Sequence, residues 1–171
     1  MTEGITLDEL LLSRDNRSLL QTELLKQHSG NNLVCMTVII PGNIKRNSSS
    51  LIIAKEGVKS LREKFNGSII YLQERDLQTG YEAYLVTEKS KEEAKRITCS
   101  IEDSHPLGRL MDLDVIDESE NPISRKEIGL DERKCLLCNN SARYCMRNHT
   151  HTTDELLQKI SQLVNNYVHR I

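Results

Sequence analysis

Leu33-Val34-Cys35-Met36-Thr37-Val38-Ile39-Ile40 is an apolar run broken only by Thr37, set between the turn cluster His28-Ser29-Gly30-Asn31-Asn32 and Pro41-Gly42. A short, β-branched-rich run with turn residues at both ends predicts a buried strand. Upstream, Leu7, Leu10, Leu11, Leu20 and Leu24 recur at roughly helical spacing, so residues 6–28 are expected to be helical. The pattern slips around Ser13, which suggests two short helices. Arg14, Arg17 and Gln21 fall on one face of the second.

Downstream of the strand, Gly42-Asn43-Ile44-Lys45-Arg46 and Ser48-Ser49-Ser50 form a polar, cationic loop. Leu51, Ala54, Val58, Leu61 and Phe65 then mark a helix, with Asn66-Gly67 suited to its left-handed cap. Ser68 to Glu74 and Tyr81 to Thr87 read as strands joined through Gln78-Thr79-Gly80, a hairpin turn. Ser90-Lys91-Glu92-Glu93 is a capping box opening a helix with Ala94, Ile97 and Ile101 inside. His105-Pro106-Leu107-Gly108 leads to a last strand from about Leu110 to Ile116.

Strand, helix, strand, strand, helix, strand is the split βαβ order, which predicts an α+β fold: a mostly antiparallel sheet with helices on one face. A short element follows from the box Ser124 to Glu127, then a cysteine-rich stretch. A final helix opens at the box Thr152 to Glu155 and carries Leu156, Ile160, Leu163 and Tyr167. That stripe reads as core before it reads as a partner surface. No linker or repeat divides the chain, so one domain is expected over 1–171.

Composition removes several functions. A formal charge of -2 with interspersed signs lacks the basic footprint of nucleic-acid binders. Five Tyr, one Phe and no Trp leave little for base stacking. No apolar stretch is long enough for a bilayer and no basic, apolar leader opens the chain, so neither membrane nor nucleic acid is expected as a partner, and the cytoplasm is the expected location. Five cysteines, an odd number, fit reduced thiols or a metal site rather than a disulfide framework.

Two stretches carry chemistry. In Gly108-Arg109-Leu110-Met111-Asp112-Leu113-Asp114-Val115, strand alternation turns Met111, Leu113 and Val115 to the core and Asp112 and Asp114 together to the other face. Their Cβ atoms would lie about 6.5–7 Å apart, within common reach of one hard cation. Magnesium suits such a pair, with Gly108 letting a phosphate approach and Arg109 neutralising charge; together they describe phosphoryl or nucleotidyl transfer. Asp-x-Asp on a solvent-facing strand is also common without function, and spacing alone does not decide between these. In the second stretch, Cys135 and Cys138 have zinc-knuckle spacing, and Cys145 with His149 would complete a tetrahedral zinc site. The other reading is three reduced cysteines packed as small apolar residues. Arg133, Arg143 and Arg147 there are equally candidates for substrate contact.

Taken together, three patterns resemble the citrate lyase holo-acyl-carrier-protein synthases, the apo-citrate lyase phosphoribosyl-dephospho-CoA transferase family. One is Gly-Arg-Leu-x-Asp-x-Asp-Val at 108–115. Another is Arg133, Cys135, Leu136 and Cys138 followed by Ala142, Cys145, Arg147 and His149. The third is Arg14, Asp15, Arg17 and Gln21 with the loop Ile40-Pro41-Gly42-x-x-Lys45. Asp15 stands where the family pattern has Glu.

The resemblance implies transfer from 2'-(5''-triphosphoribosyl)-3'-dephospho-CoA to a serine of the acyl carrier protein, the gamma subunit of citrate lyase, with diphosphate released. It implies magnesium on Asp112 and Asp114, with one of them, or the metal, helping to deprotonate the serine. Arg109 and Lys45 are the expected phosphate contacts, with Gly108, Arg14, Arg17, Arg133 and Arg147 as further substrate-binding positions. Competing expectations are the same chemistry on the carrier protein of malonate decarboxylase, a non-catalytic zinc-binding module at residues 133–151, and an RNA-binding split βαβ domain.

Overall fold

A computed structural model describes residues 4–170. Four strands, β1 (Asn32–Val38), β2 (Ile69–Leu77), β3 (Gly80–Thr87) and β4 (Met111–Ile116), form one sheet in the order β2-β3-β1-β4. Every pairing is antiparallel. Between them run α2 (Ser48–Lys64) and α3 (Lys91–Ser104), and α1 (Leu7–Gln27), α4 (Ala142–Arg147) and α5 (Thr153–Val168) lie toward the ends of the chain. The α+β class and the split βαβ order are as the sequence predicts.

Period-two alternation divides the sheet into two faces. Val34 and Met36 of β1, Ala83 and Leu85 of β3, and Met111, Leu113 and Val115 of β4 join Ile53, Val58 and Leu61 of α2 and Ala94 and Ile101 of α3 in the main core. Ile160 and Val164 of α5 enter the same core, and Tyr167 Oη donates to Glu56 at 2.7 Å, so the apolar stripe of α5 is core. Capping boxes begin α1, α2, α3 and α5, at Thr6, Asn47, Ser90 and Thr152. Each contributes about 1 kcal/mol to fixing where its helix starts.

One expectation about α1 is corrected. It is one helix, not two: where the apolar pattern slips, Ser13 is buried and its hydroxyl lies 2.8 Å from that of Thr79, so a polar contact replaces an apolar one without breaking the helix. The helices of the split βαβ unit, α2 and α3, share one face as expected. α1 crosses the opposite face, where Leu24 and Leu25 pack with Leu33, Cys35, Tyr84, Val86 and Ile116. Its C-terminal half thus seals one end of that face, and its N-terminal half hangs over the end that carries the acidic pair.

β4 is an edge strand, and an unpaired edge leaves backbone groups bare. Here side chains close it. Glu102 Oε1 accepts from Leu113 N at 2.9 Å, Lys95 Nζ donates to Leu113 O at 3.3 Å, and Arg133 Nη2 donates to Met111 O at 3.0 Å. Ile123 N completes the series by donating to Val115 O at 2.9 Å.

Candidate active site

Asp112 and Asp114 leave β4 on the face that α1 only partly covers. The registers fix their neighbours: Asp112 lies beside Thr37, which lies beside Glu82, and Asp114 lies beside Cys35, which lies beside Tyr84. Two parallel rows therefore cross three strands, each with a carboxylate at its β4 end. No partner in an ion pair is found for Asp114 among the described residues, and it keeps open surface. Its carboxyl is nonetheless pushed up from the ordinary value, by desolvation against the packed sheet and then by the charge of Asp112. Lys95 and Arg133 oppose the rise. Because the residue retains open surface, the like charge of Asp112 is the cause that a bound cation or a proton would relieve.

Asp112 is held by Arg133, whose Nη1 lies 3.2 Å from its carboxylate. The same guanidinium reaches Glu102 at 3.5 Å and donates to the carbonyl of Arg109 at 3.0 Å. Arg133, expected from sequence to contact substrate, is thus paired within the protein while also lining the cavity described below. Glu102 is the buried hub beneath it, 3% exposed and paired also with Arg125 at 2.7 Å. Neither Glu102 nor Lys95 stood out in the sequence, although their seven-residue separation puts both on the buried face of α3 with Thr98 and Ile101.

Arg109 has no ion pair among the described residues, unlike Arg125 and Arg133. Its Nε is buried without a partner, and burial together with the charges of Arg133 and Arg125 pulls its guanidinium below the usual range. It lines a cavity of about 330 Å³ with Arg125, Arg133, Lys134 and the acidic residues Asp103, Asp131 and Glu132. Arg125 and Arg133 are already matched by Glu102, Asp103 and Asp112, which leaves Arg109 and Lys134 as the cations of the lining with capacity for an anion.

The N-terminal cations reach the same face. Arg17 Nε sits 3.0 Å from Glu82, a carboxylate 1% exposed that also accepts from Tyr84 Oη at 2.5 Å. Gln21, one turn on, reaches the Cys35 thiol, which burial pushes up to about 12. Arg17 therefore serves a buried carboxylate that the sequence reading missed; its signal was a charged residue inside the alternation Tyr81-Glu82-Ala83-Tyr84. Lys45 is half-buried, donates to Ile40 O at 2.5 Å, and is drawn down by burial and by nearby Arg14. Exposed Arg14 and Lys45 thus form a small cationic pair close to where β1 ends.

Two assignments change. A Cβ at Gly108 would stand 2.3 Å from the Ile101 carbonyl oxygen and 2.6 Å from that of Glu102, so this buried glycine is required for packing on the end of α3 rather than for phosphate approach. Arg147 ends α4 exposed, with no ion pair among the described residues. His149 adopts φ 47° and is exposed, so the chain turns there and delivers His151 to the cysteines instead.

No helix among the described residues is long and apolar enough to cross a membrane. The family described as apo-citrate lyase phosphoribosyl-dephospho-CoA transferase matches residues 5–167. A Vibrio cholerae protein named "Probable apo-citrate lyase phosphoribosyl-dephospho-CoA transferase" is 39% identical over 96% of this chain and 94% of its own. An Escherichia coli apo-citrate lyase phosphoribosyl-dephospho-CoA transferase is 36% identical over 95% of this chain and 90% of its own. "Protein CitXG" of Haemophilus influenzae is 36% identical over 97% of this chain, which spans only 37% of that longer protein.

Proposed function

The chain belongs to the apo-citrate lyase phosphoribosyl-dephospho-CoA transferase family, and from that premise we propose that it attaches the prosthetic group of citrate lyase. The donor is 2'-(5''-triphosphoribosyl)-3'-dephospho-CoA and the acceptor a serine of the apo acyl carrier protein. The serine oxygen attacks the phosphorus nearest the ribose, a phosphodiester forms, and the bond to diphosphate breaks. We place this reaction in the cytoplasm, which suits a chain whose cysteines are all free.

The observation that carries the reading is the pair Asp112 and Asp114, side by side on the open sheet face, next to an arginine-lined cavity. Two neighbouring carboxylates, one raised by desolvation and then by the charge of the other, fit a divalent cation by their chemistry, and magnesium would be held by Asp112 and Asp114. When bound, it supplies charge neutralisation to the phosphates. The chain's own residues do the rest. Arg109 has an unmatched charge for the leaving diphosphate, and Arg14 and Lys45 face the donor from the end of β1. One of the two carboxylates helps to take the proton from the serine. Arg133 and Glu102 fix the position of Asp112.

Intact-mass analysis of apo carrier protein tests this directly, after incubation with enzyme, magnesium and donor. A gain equal to the phosphoribosyl-dephospho-CoA group, lost with EDTA and with Asp112→Asn, is the expected result. No gain from folded enzyme and intact donor overturns it. Gain on the malonate decarboxylase carrier alone would reassign the acceptor and keep the chemistry.

A further inference from the structure

We propose that Cys135, Cys138, Cys145 and His151 bind one zinc ion, which clamps the segment that delivers Arg133 to Asp112. The ligand atoms of these four residues all lie within 4.8 Å of one another. Cys138 Sγ is 3.4 Å from Cys145 Sγ and 3.4 Å from His151 Nε2. Around tetrahedral zinc, with bonds of about 2.3 Å to sulfur and about 2.0 Å to nitrogen, neighbouring ligands stand roughly 3.5–3.8 Å apart. The four side chains are therefore gathered to nearly the size of that coordination shell. A disulfide is a poorer account, since sulfur atoms in one are about 2.05 Å apart and a third thiol would remain unpaired.

The backbone is shaped for the same purpose. Cys135 Sγ accepts from Leu137 N at 3.5 Å, the turn by which a Cys-x-x-Cys knuckle orients its first sulfur. Cys135 N donates to Asn140 O at 2.7 Å and Ala142 N to Arg133 O at 2.8 Å, closing a small hairpin that leads into α4. Ser141 caps α4, which carries Cys145 inward, and the chain turns at His149 to bring His151 back. Four protein ligands and no open position describe a structural rather than a catalytic site. Three thiolates and a neutral imidazole around zinc leave a net charge of -1, and binding releases the thiol protons.

Apolar burial alone is thin here. In the stretch from Asp131 to His151, Leu136 packs partly against the main core and Cys145 is buried, while most other side chains are exposed. Segments this poor in core are commonly ordered by metal. Arg133 lies two residues before the first ligand and its carbonyl is bonded into the hairpin, so the ion fixes the residue that holds Asp112. The proposal does not depend on the transferase reading.

The test is the zinc content of the full chain, purified under reducing conditions from zinc-supplemented medium, by elemental mass spectrometry. One zinc per chain is expected for the native protein and for His149→Ala, with at least a five-fold loss in His151→Ala and Cys138→Ser. Should those variants fail to fold, cobalt added to native protein stripped of metal gives a second reading. Tetrahedral thiolate-ligated cobalt has an intense visible spectrum, and an octahedral, oxygen-ligated spectrum would overturn the site. Native protein with reduced thiols and no zinc would overturn it, as would a Cys138–Cys145 disulfide found by peptide mass, or zinc lost from His149→Ala and kept by His151→Ala.

Discussion

Arg133 holds Asp112 by a 3.2 Å contact from one end of its guanidinium while the other end donates to the backbone carbonyls of Arg109 and Met111. One side chain thereby sets the carboxylate and closes the strand from which that carboxylate projects. The planar fork of arginine spans these partners at once, which a lysine ammonium does not. Arg133→Lys should therefore behave much as Arg133→Met. In both, transfer should fall about 10–100-fold, mainly in kcat, as for loss of a positioning contact. Steady-state kinetics of the two variants checks this, and full activity of Arg133→Lys would refute the positioning role.

The raised carboxyl of Asp114 makes a claim about stability. A group whose folded value lies above its unfolded one favours folding when protonated, and that contribution is lost as pH rises through the folded value. At neutral pH the ionised Asp114 therefore opposes the fold. Asp114→Asn, measured without divalent metal, should raise Tm at pH 7 and lose this advantage as pH falls below the ordinary carboxylate range. The same substitution should abolish transfer. A lower Tm at pH 7 would contradict the electrostatic account.

Glu102 accepts from Leu113 N and pairs with two arginines at 3% exposure, so removing its charge strands them. Truncating one member of a buried ion pair costs about 3–5 kcal/mol. Glu102→Ala should show a loss of that order in urea unfolding, and Glu102→Gln, which keeps the bond to Leu113 N, roughly half. An effect below about 0.5 kcal/mol would place Glu102 among ordinary surface charges.

Arg109 presents the opposite profile. Its Nε has no partner to lose, so Arg109→Gln should leave Tm within a degree or two of the native protein, consistent with about 0.5 kcal/mol or less. Donor KM should rise, with kcat/KM down about 100-fold if the guanidinium meets the triphosphate. Unchanged kinetics would separate the cavity from the reaction.

Gly108→Ala asks whether this glycine serves packing or substrate. With a Cβ forced to 2.3 Å from the Ile101 carbonyl, the last turn of α3 and the start of β4 must separate. A loss of about 2–4 kcal/mol is expected in denaturant unfolding, as for an overpacked or strained core site. Native stability with poor donor binding would restore the phosphate-approach role.

How much of this was legible in the sequence depends on the range of the interaction. Asp112 and Asp114 could be placed on one face because strand alternation is local, and the helix starts at Ser90 and Thr152 because a capping box lies within one turn. Lys95 and Glu102 were not legible as site residues. Charges inside a helix ordinarily mark its solvated face, and only the unpaired edge of β4, a tertiary fact, turns them inward. The buried side of α1 was not legible for a related reason. Leu7, Leu11, Leu12 and Leu19 stay exposed while Ser13 and Arg17 face the sheet, so its hydrophobic pattern misstates which side is buried. His151 was missed because motif spacing favoured His149, and the backbone turn that excludes His149 is invisible in the spacing.

The closure of the β4 edge also orders events during synthesis. Lys95 and Glu102 leave the ribosome before Leu113, so the middle of the strand meets two of its partners as soon as it emerges. The flanking groups at Val115 and Met111 must wait for Ile123 and Arg133, respectively. During that interval the nascent chain carries a strand that is already protected at its centre and sticky only at its ends, which shortens the stretch on which another chain could template.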